Sequence, residues 1–286
     1  MNEKISPQTQ IGYVVLKVKD LEKMVDFYVT TLGLEIKSQD ENQVVLGARN
    51  AAKTLLILTE QTAENMESSA QATGLYHMAF LLPKRADLGD MLLHLLQVKY
   101  PLQGASDHGY SEALYLSDPE GNGIEIYRDK PKEEWTIHPD GRIDGITIEM
   151  DVEGVIHAAT RKWTGMVAGT VMGHVHLKVS DLAKTKWFYE QVVGMAVKAE
   201  LPGAIFMAAN GYHHHIGANI WGGGQHLVPI KDHQIGLFYY TIVLPDLAAL
   251  TSLVNRLTNH QYPFEQHGQQ VIVTDPNGIQ LRFDHK

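Results

Sequence analysis

The sequence predicts an α+β chain of four repeated βαβββ units, and three observations carry that expectation. The segment Val14-Val15-Leu16-Lys17-Val18-Lys19-Asp20-Leu21, followed by Phe27-Tyr28 and Leu32-Gly33-Leu34, returns 161 residues on as Val175-His176-Leu177-Lys178-Val179-Ser180-Asp181-Leu182, then Phe188-Tyr189 and Val193-Gly194-Met195. A second pair interleaves at an offset of 162: Gly74-Leu75-Tyr76-His77 leading to Leu82-Pro83, and Gly236-Leu237-Phe238-Tyr239 leading to Leu244-Pro245. Each copy opens with period-two apolar alternation and then changes to a helical period.

The first unit, 8–62, begins with a strand. Its helix follows Asp20, a residue suited to cap it, and places Leu21, Met24, Val25, Tyr28 and Leu32 on one face. The second unit, 72–128, has a helix with Leu88, Met91, Leu92, Leu95 and Leu96. It closes through an Asp118-Pro119 turn into the strand Gly123-Ile124-Glu125-Ile126-Tyr127. These two make an N-terminal pair, 8–128. Residues 129–170 match no unit; charged at the start and carrying Trp135 and Trp163, they read as an ordered connector with a short strand near Ile146 to Met150. The C-terminal pair, 171–286, contains the third unit, 171–224, capped at Asp181. Its fourth unit, 234–286, has a helix through Leu247, Leu250, Leu253 and Leu257, an Asp275-Pro276 turn and a last strand Gly278-Ile279-Gln280-Leu281-Arg282. Residues 221–234 form a glycine-rich loop able to cover a site.

Composition narrows the function classes. With 286 residues, 44% hydrophobic and 20% charged, the chain can bury sizeable cores. A formal charge of -9 with scattered lysines and arginines argues against a nucleic-acid partner. There is no cysteine, so a metal here must be held by nitrogen and oxygen. The polar start and the lack of a membrane-length apolar run point to a cytoplasmic protein with no membrane partner. A monomer or a homodimer is expected.

The Asp-Leu after the first strand, the Phe-Tyr helix, the Leu-Gly turn and the late Asp-Pro-x-Gly-Asn-Gly-x-Glu strand together resemble the vicinal oxygen chelate superfamily, which includes glyoxalase I, fosfomycin-resistance enzymes and extradiol dioxygenases. The likeness covers nearly all of the chain except the connector. More narrowly, Gly104-Ala-Ser-Asp-His-Gly-Tyr-Ser-Glu-Ala113, Asp118-Pro-Glu-Gly-Asn-Gly-Ile-Glu-Ile-Tyr127 and Gly211-Tyr-His-His-His-Ile216 resemble bacterial catechol 2,3-dioxygenases with four units.

The resemblance implies paired, cupped mixed sheets, with metal ligands on the first and last strands of each unit. First-strand positions here are Tyr13, His77, His174 and Tyr239; last-strand positions are approximately Leu56, Glu125, His214 and Gln280. Sequential pairing of units would leave each cup an incomplete ligand set. Pairing the second unit with the third would gather His77, Glu125, His174 and His214, leaving a metal-free pair with tyrosines at both first-strand positions. The sequence leaves both pairings open.

On this reading His77, Glu125 and His174 hold a divalent metal. Iron(II) leads; manganese, nickel and zinc accept the same ligands. His214 is the expected acid-base residue, with His213 as second choice, because imidazole titrates near neutral pH. The resemblance assigns substrate contacts to His108 and Tyr115. The run His213-His214-His215 reads as strand, with alternating faces and at least one exposed member. Tyr13, Tyr239 and the remaining histidines read as wall, core or solvated residues.

The function implied is extradiol cleavage of a small catecholic substrate by O2. A glyoxalase I-like lyase or isomerase is the alternative, weakened by His214 standing where the resemblance puts a glutamate base. A non-catalytic small-molecule-binding or resistance protein is the third, weakened by a complete ligand set.

Overall fold

Residues 4–61, 71–221, 223–231 and 233–286 are described by the computed structural model; position 62, Gly222 and Asp232, which fall within the first unit and the glycine-rich loop, lie outside them. The first unit comprises β1 (Gln10–Val18), α1 (Leu21–Asp26), β2 (Glu35–Gln39), β3 (Gln43–Gly47) and β4 (Thr54–Glu60). In the second are β5 (Gly74–Leu81), α2 (Arg85–Gln97), β6 (Gly104–Asp107), β7 (Ser111–Ser117) and β8 (Gly123–Asp129). The connector holds β9 (Thr136–Ile137), β10 (Ile143–Asp144), β11 (Ile148–Glu149) and α3 (Val152–Ala158). Then come β12 (Val171–Lys178), α4 (Leu182–Trp187), β13 (Ala196–Leu201), β14 (Ala204–Ala208) and β15 (Ile216–Asn219). The fourth unit has β16 (Gly236–Leu244), α5 (Leu247–Asn259), β17 (Glu265–His267), β18 (Gln270–Thr274) and β19 (Gln280–His285).

The sheets do not follow chain order. One is β17-β18-β19-β16-β1-β4-β3-β2, joining the fourth unit to the first; the other is β11-β6-β7-β8-β5-β12-β15-β14-β13, joining the second to the third. In both, the seam is an antiparallel pair of leading strands, β1 with β16 and β5 with β12. The connector strand β11 extends the second sheet by pairing with β6.

Local chemistry sets the helices. The carboxylates of Asp20, Asp181 and Asp246 accept the backbone N–H of Lys23, Lys184 and Ala249, satisfying donors that a first turn leaves open. After α1 the backbone widens to i→i+5 bonding, Leu32 N–H to the Phe27 carbonyl at 3.2 Å, and Phe188–Val193 repeats the widening after α4. The consecutive aromatics Phe27 and Tyr28 are both buried there, as are Phe188 and Tyr189. The Tyr28 hydroxyl donates to Asp118 at 2.8 Å, and Tyr189 and Tyr240 share a hydroxyl contact at 2.6 Å. Helical segments therefore tie units in chain order, while strands tie them across it. A single apolar cluster includes Leu16 and Tyr240 of one sheet, Phe80 and Leu177 of the other, and Met24, Leu92 and Leu253 of the helices. Among the described residues no helix is long and apolar enough to cross a membrane.

Candidate metal centre

Strand register assembles the site. Tyr115 of β7 stands opposite Glu125 of β8, Glu125 opposite Ala79 of β5, and Ala79 opposite His174 of β12, so one row of the sheet carries these four side chains. Ala79 is small, which leaves the floor open between Glu125 and His174. His77, two residues earlier on β5, points to the same face as Ala79. Gly123 permits β8 to pass behind His77: a Cβ there would lie 2.1 Å from the Tyr76 carbonyl oxygen.

His77 Nε2, His174 Nε2 and Glu125 Oε2 form a nearly equilateral triangle, with edges of 3.3 Å between the nitrogens, 3.1 Å from His77 to the carboxylate and 3.3 Å from His174 to it. All three residues are buried. Two imidazole nitrogens and a carboxylate oxygen this close together can share one divalent cation. The donor set thus fits a divalent metal.

Electrostatics agree with that fit. Burial pushes the Glu125 carboxyl up, but the adjoining imidazoles, His174 foremost, outweigh it and hold the group well below the usual carboxylate range. Burial drives the His174 imidazole down to about 4, against the pull of Glu125. His176 and His214 are also held well below the usual range by burial and by neighbouring imidazoles. Neutral imidazoles are what a metal requires of its ligands. The Nδ1 of His174 is buried without a hydrogen-bond partner, so packing fixes this ring, with His214 centred 4.1 Å away and Tyr127 5.0 Å away.

A cavity of about 760 Å³ opens onto the triangle, lined by His77, Glu125, His108, Tyr115 and His214 among others. His108 takes a defined tautomer: Nδ1 lies 2.9 Å from the Ile146 carbonyl, which can only accept, so Nδ1 carries the proton. Its bare Nε2 then accepts from the Tyr115 hydroxyl at 2.6 Å. Burial, reinforced by Glu125, holds the Tyr115 phenol well above its usual range, and it remains a donor. His213 Nδ1 meets His214 Nδ1 at 2.8 Å, and His213 Nε2 meets Asp129 Oδ1 at 3.0 Å.

The structure therefore brings His77, Glu125, His174, His108, Tyr115 and His214 to one cavity. The histidine run departs from expectation: His213, His214 and His215 precede β15 in an irregular segment, and all three are buried. Aromatic packing and hydrogen bonds replace strand alternation there. The sequence reading passed over His176, Tyr76, Phe206 and Trp221, which line the cavity. His176 had a visible signal, being two residues from His174 on one strand. Its ring lies against Gly217, where a Cβ would come within 2.9 Å. In the other sheet the matching first-strand positions hold Tyr13 and Tyr239, whose ring centres are 6.5 Å apart, with the Arg282 guanidinium 3.6 Å over Tyr239.

The model of the Glyoxalase/Bleomycin resistance protein/Dioxygenase superfamily matches residues 10–126 and again 171–283. The chain belongs to that superfamily. It is 39% identical over 283 residues to the catechol-2,3-dioxygenase of Bacillus subtilis (strain 168), covering 98% of each chain. Against biphenyl-2,3-diol 1,2-dioxygenase 3 of Rhodococcus globerulus it is 26% identical over 124 residues, 42% of this chain and 63% of that one. Among solved structures, glyoxalase I of Zea mays superposes with a TM-score of 0.57 at 14% identity, covering 96% of this chain and 92% of that one, a likeness of fold.

Proposed function

We propose that this superfamily member is an extradiol dioxygenase that opens a catecholic ring with O2 at an iron(II) centre held by His77, His174 and Glu125. The observation that carries the reading is the facial donor triangle, opening onto a cavity that also holds a tyrosine-histidine pair on one side and a further imidazole on the other. The full-length similarity to a catechol-2,3-dioxygenase supports it.

Iron(II) in that triangle would supply electron transfer from an electron-rich diol to O2 at neighbouring open positions. The remaining work falls to side chains. Tyr115, held by His108, offers a hydroxyl beside Glu125 to orient a diol oxygen. His214, beside His174 and uncharged in the free protein, takes up a proton and returns it as bonds to oxygen rearrange. Tyr76, Phe206 and Trp221 give the cavity apolar walls suited to an aromatic ring.

Anaerobic reconstitution with iron(II), followed by catechol and O2, tests the proposal. A yellow ring-opened product with one equivalent of O2 consumed is the expected result. Turnover of a glutathione hemithioacetal without O2 uptake would overturn it in favour of a glyoxalase-type isomerase.

A further inference from the structure

Asp129 ends β8, opposite Ser111 of β7, and is neither one of the three donors nor among the residues that line the cavity. Its Oδ1 nevertheless begins a hydrogen-bonded chain that reaches the site. A carboxylate can only accept, so the 3.0 Å contact puts a proton on His213 Nε2. With a single proton on the His213 ring, the other nitrogen, Nδ1, is bare. The 2.8 Å contact between the two Nδ1 atoms must be donated by His214. That leaves the Nε2 of His214 without a proton, and His214 lines the cavity.

We propose that Asp129 is a positioning residue that, through His213, fixes His214 in the Nδ1–H tautomer and so presents a bare Nε2 to the substrate. This rests on reading His214 as the proton carrier, and it makes His213 the partner of His214 in place of an alternative to it. The surroundings hold the chain rigid. Tyr110 stacks on His213 at 4.2 Å and 10°, and Trp135 and Tyr212 pack on it at 5.4 Å and 4.0 Å. The Tyr212 hydroxyl donates to the same Asp129 oxygen at 3.2 Å, which leaves Tyr127 to donate to Tyr212 at 2.7 Å. The carboxylate is thus oriented from two directions. A base whose tautomer is set by a third group is a recurring arrangement in catalysis.

Histidine-selective ¹⁵N NMR of the zinc-loaded protein, with the His214 signals identified by their loss in His214→Gln, reads the tautomer directly. Wild type is expected to show a protonated Nδ1 and a bare Nε2. In Asp129→Asn an amide N–H can face His213 Nε2, sending the proton pattern round the chain, so His214 should gain Nε2–H. In the iron-loaded enzyme that variant should lose kcat by ~10²-fold or more with KM for catechol changed less than about threefold, and Asp129→Glu should recover most of it. A wild-type His214 carrying Nε2–H would overturn the proposal, as would an Asp129→Asn protein with unchanged His214 signals and wild-type kcat. Absence of ring cleavage by wild type would remove the oxygenase reading, yet the tautomer would still be read by NMR.

Discussion

Replacing His174 with alanine separates what this imidazole does for a metal from what it does for the fold. The side chain forms two edges of the donor triangle, so without it His77 and Glu125 remain as a lone pair 3.1 Å apart. In the metal-free protein two effects oppose each other. Emptying the buried ring's space costs about 2–3 kcal/mol, while removing a buried Nδ1 that has no partner relieves about 1–3 kcal/mol. The metal-free melting temperature should therefore move little, by no more than about 3 °C. The metal-bound difference is larger in kind. At a free metal concentration about a hundred times Kd, binding stabilises wild type by about 2.7 kcal/mol. With an unfolding entropy near 0.6 kcal/mol per kelvin for 286 residues, that raises the melting temperature by about 4–5 °C. In the variant the metal-induced rise should fall below about 1 °C. Anaerobic calorimetry with and without metal, joined to metal analysis of the desalted protein, measures both quantities. One equivalent of metal and a full thermal rise in His174→Ala would refute the shared-ion geometry.

Other expectations follow from the same contacts. Tyr115→Phe should keep its metal yet lose about 10- to 100-fold in kcat on catechol, measured by O2 uptake; an undiminished rate would show that the hydroxyl held by His108 plays no part. Tyr28→Phe removes a buried hydrogen bond to Asp118 and should cost about 1.5–3 kcal/mol, a fall of roughly 3–5 °C in melting temperature by calorimetry. Asp275 gives a pH test. Burial raises its folded-state pKa to about 6, above the ~3.9 of an unfolded aspartate, so its contribution to stability is fully present below pH ~4 and is lost as pH rises through about 6, by about 3 kcal/mol in all. Urea titrations of wild type and Asp275→Asn at pH 4, 5, 6 and 7 should diverge by that amount; parallel curves would contradict it.

Much of the architecture was legible because repetition leaves marks that no single propensity can. Matching residues at a fixed offset gave the number of units, and the aspartates before α1 and α4 marked where those helices start. The connector was harder. Its β9-β10 hairpin has two residues per strand, and α3 has seven residues, too short for a periodic signal to rise above background. In the site, His77, Glu125 and His174 were legible as first- and last-strand positions. The geometry around His214 was not. Three consecutive histidines invite a strand reading, whereas His213 is packed by its neighbour Tyr212 and by Tyr110, Trp135 and Asp129, which are distant in sequence. Asp129 itself looked like the first charge of a polar linker.

The crossed pairing of leading strands has a consequence for how the polypeptide can be divided. A break within 129–170 would yield two fragments, each owning half of both sheets and each exposing two unpaired leading strands. Neither fragment could complete a cup alone, and a pair of them could close one seam most readily while closing the other. Recovered metal binding in a mixture of the two pieces would then report the joining of the whole molecule, including the sheet that holds no ligand triad.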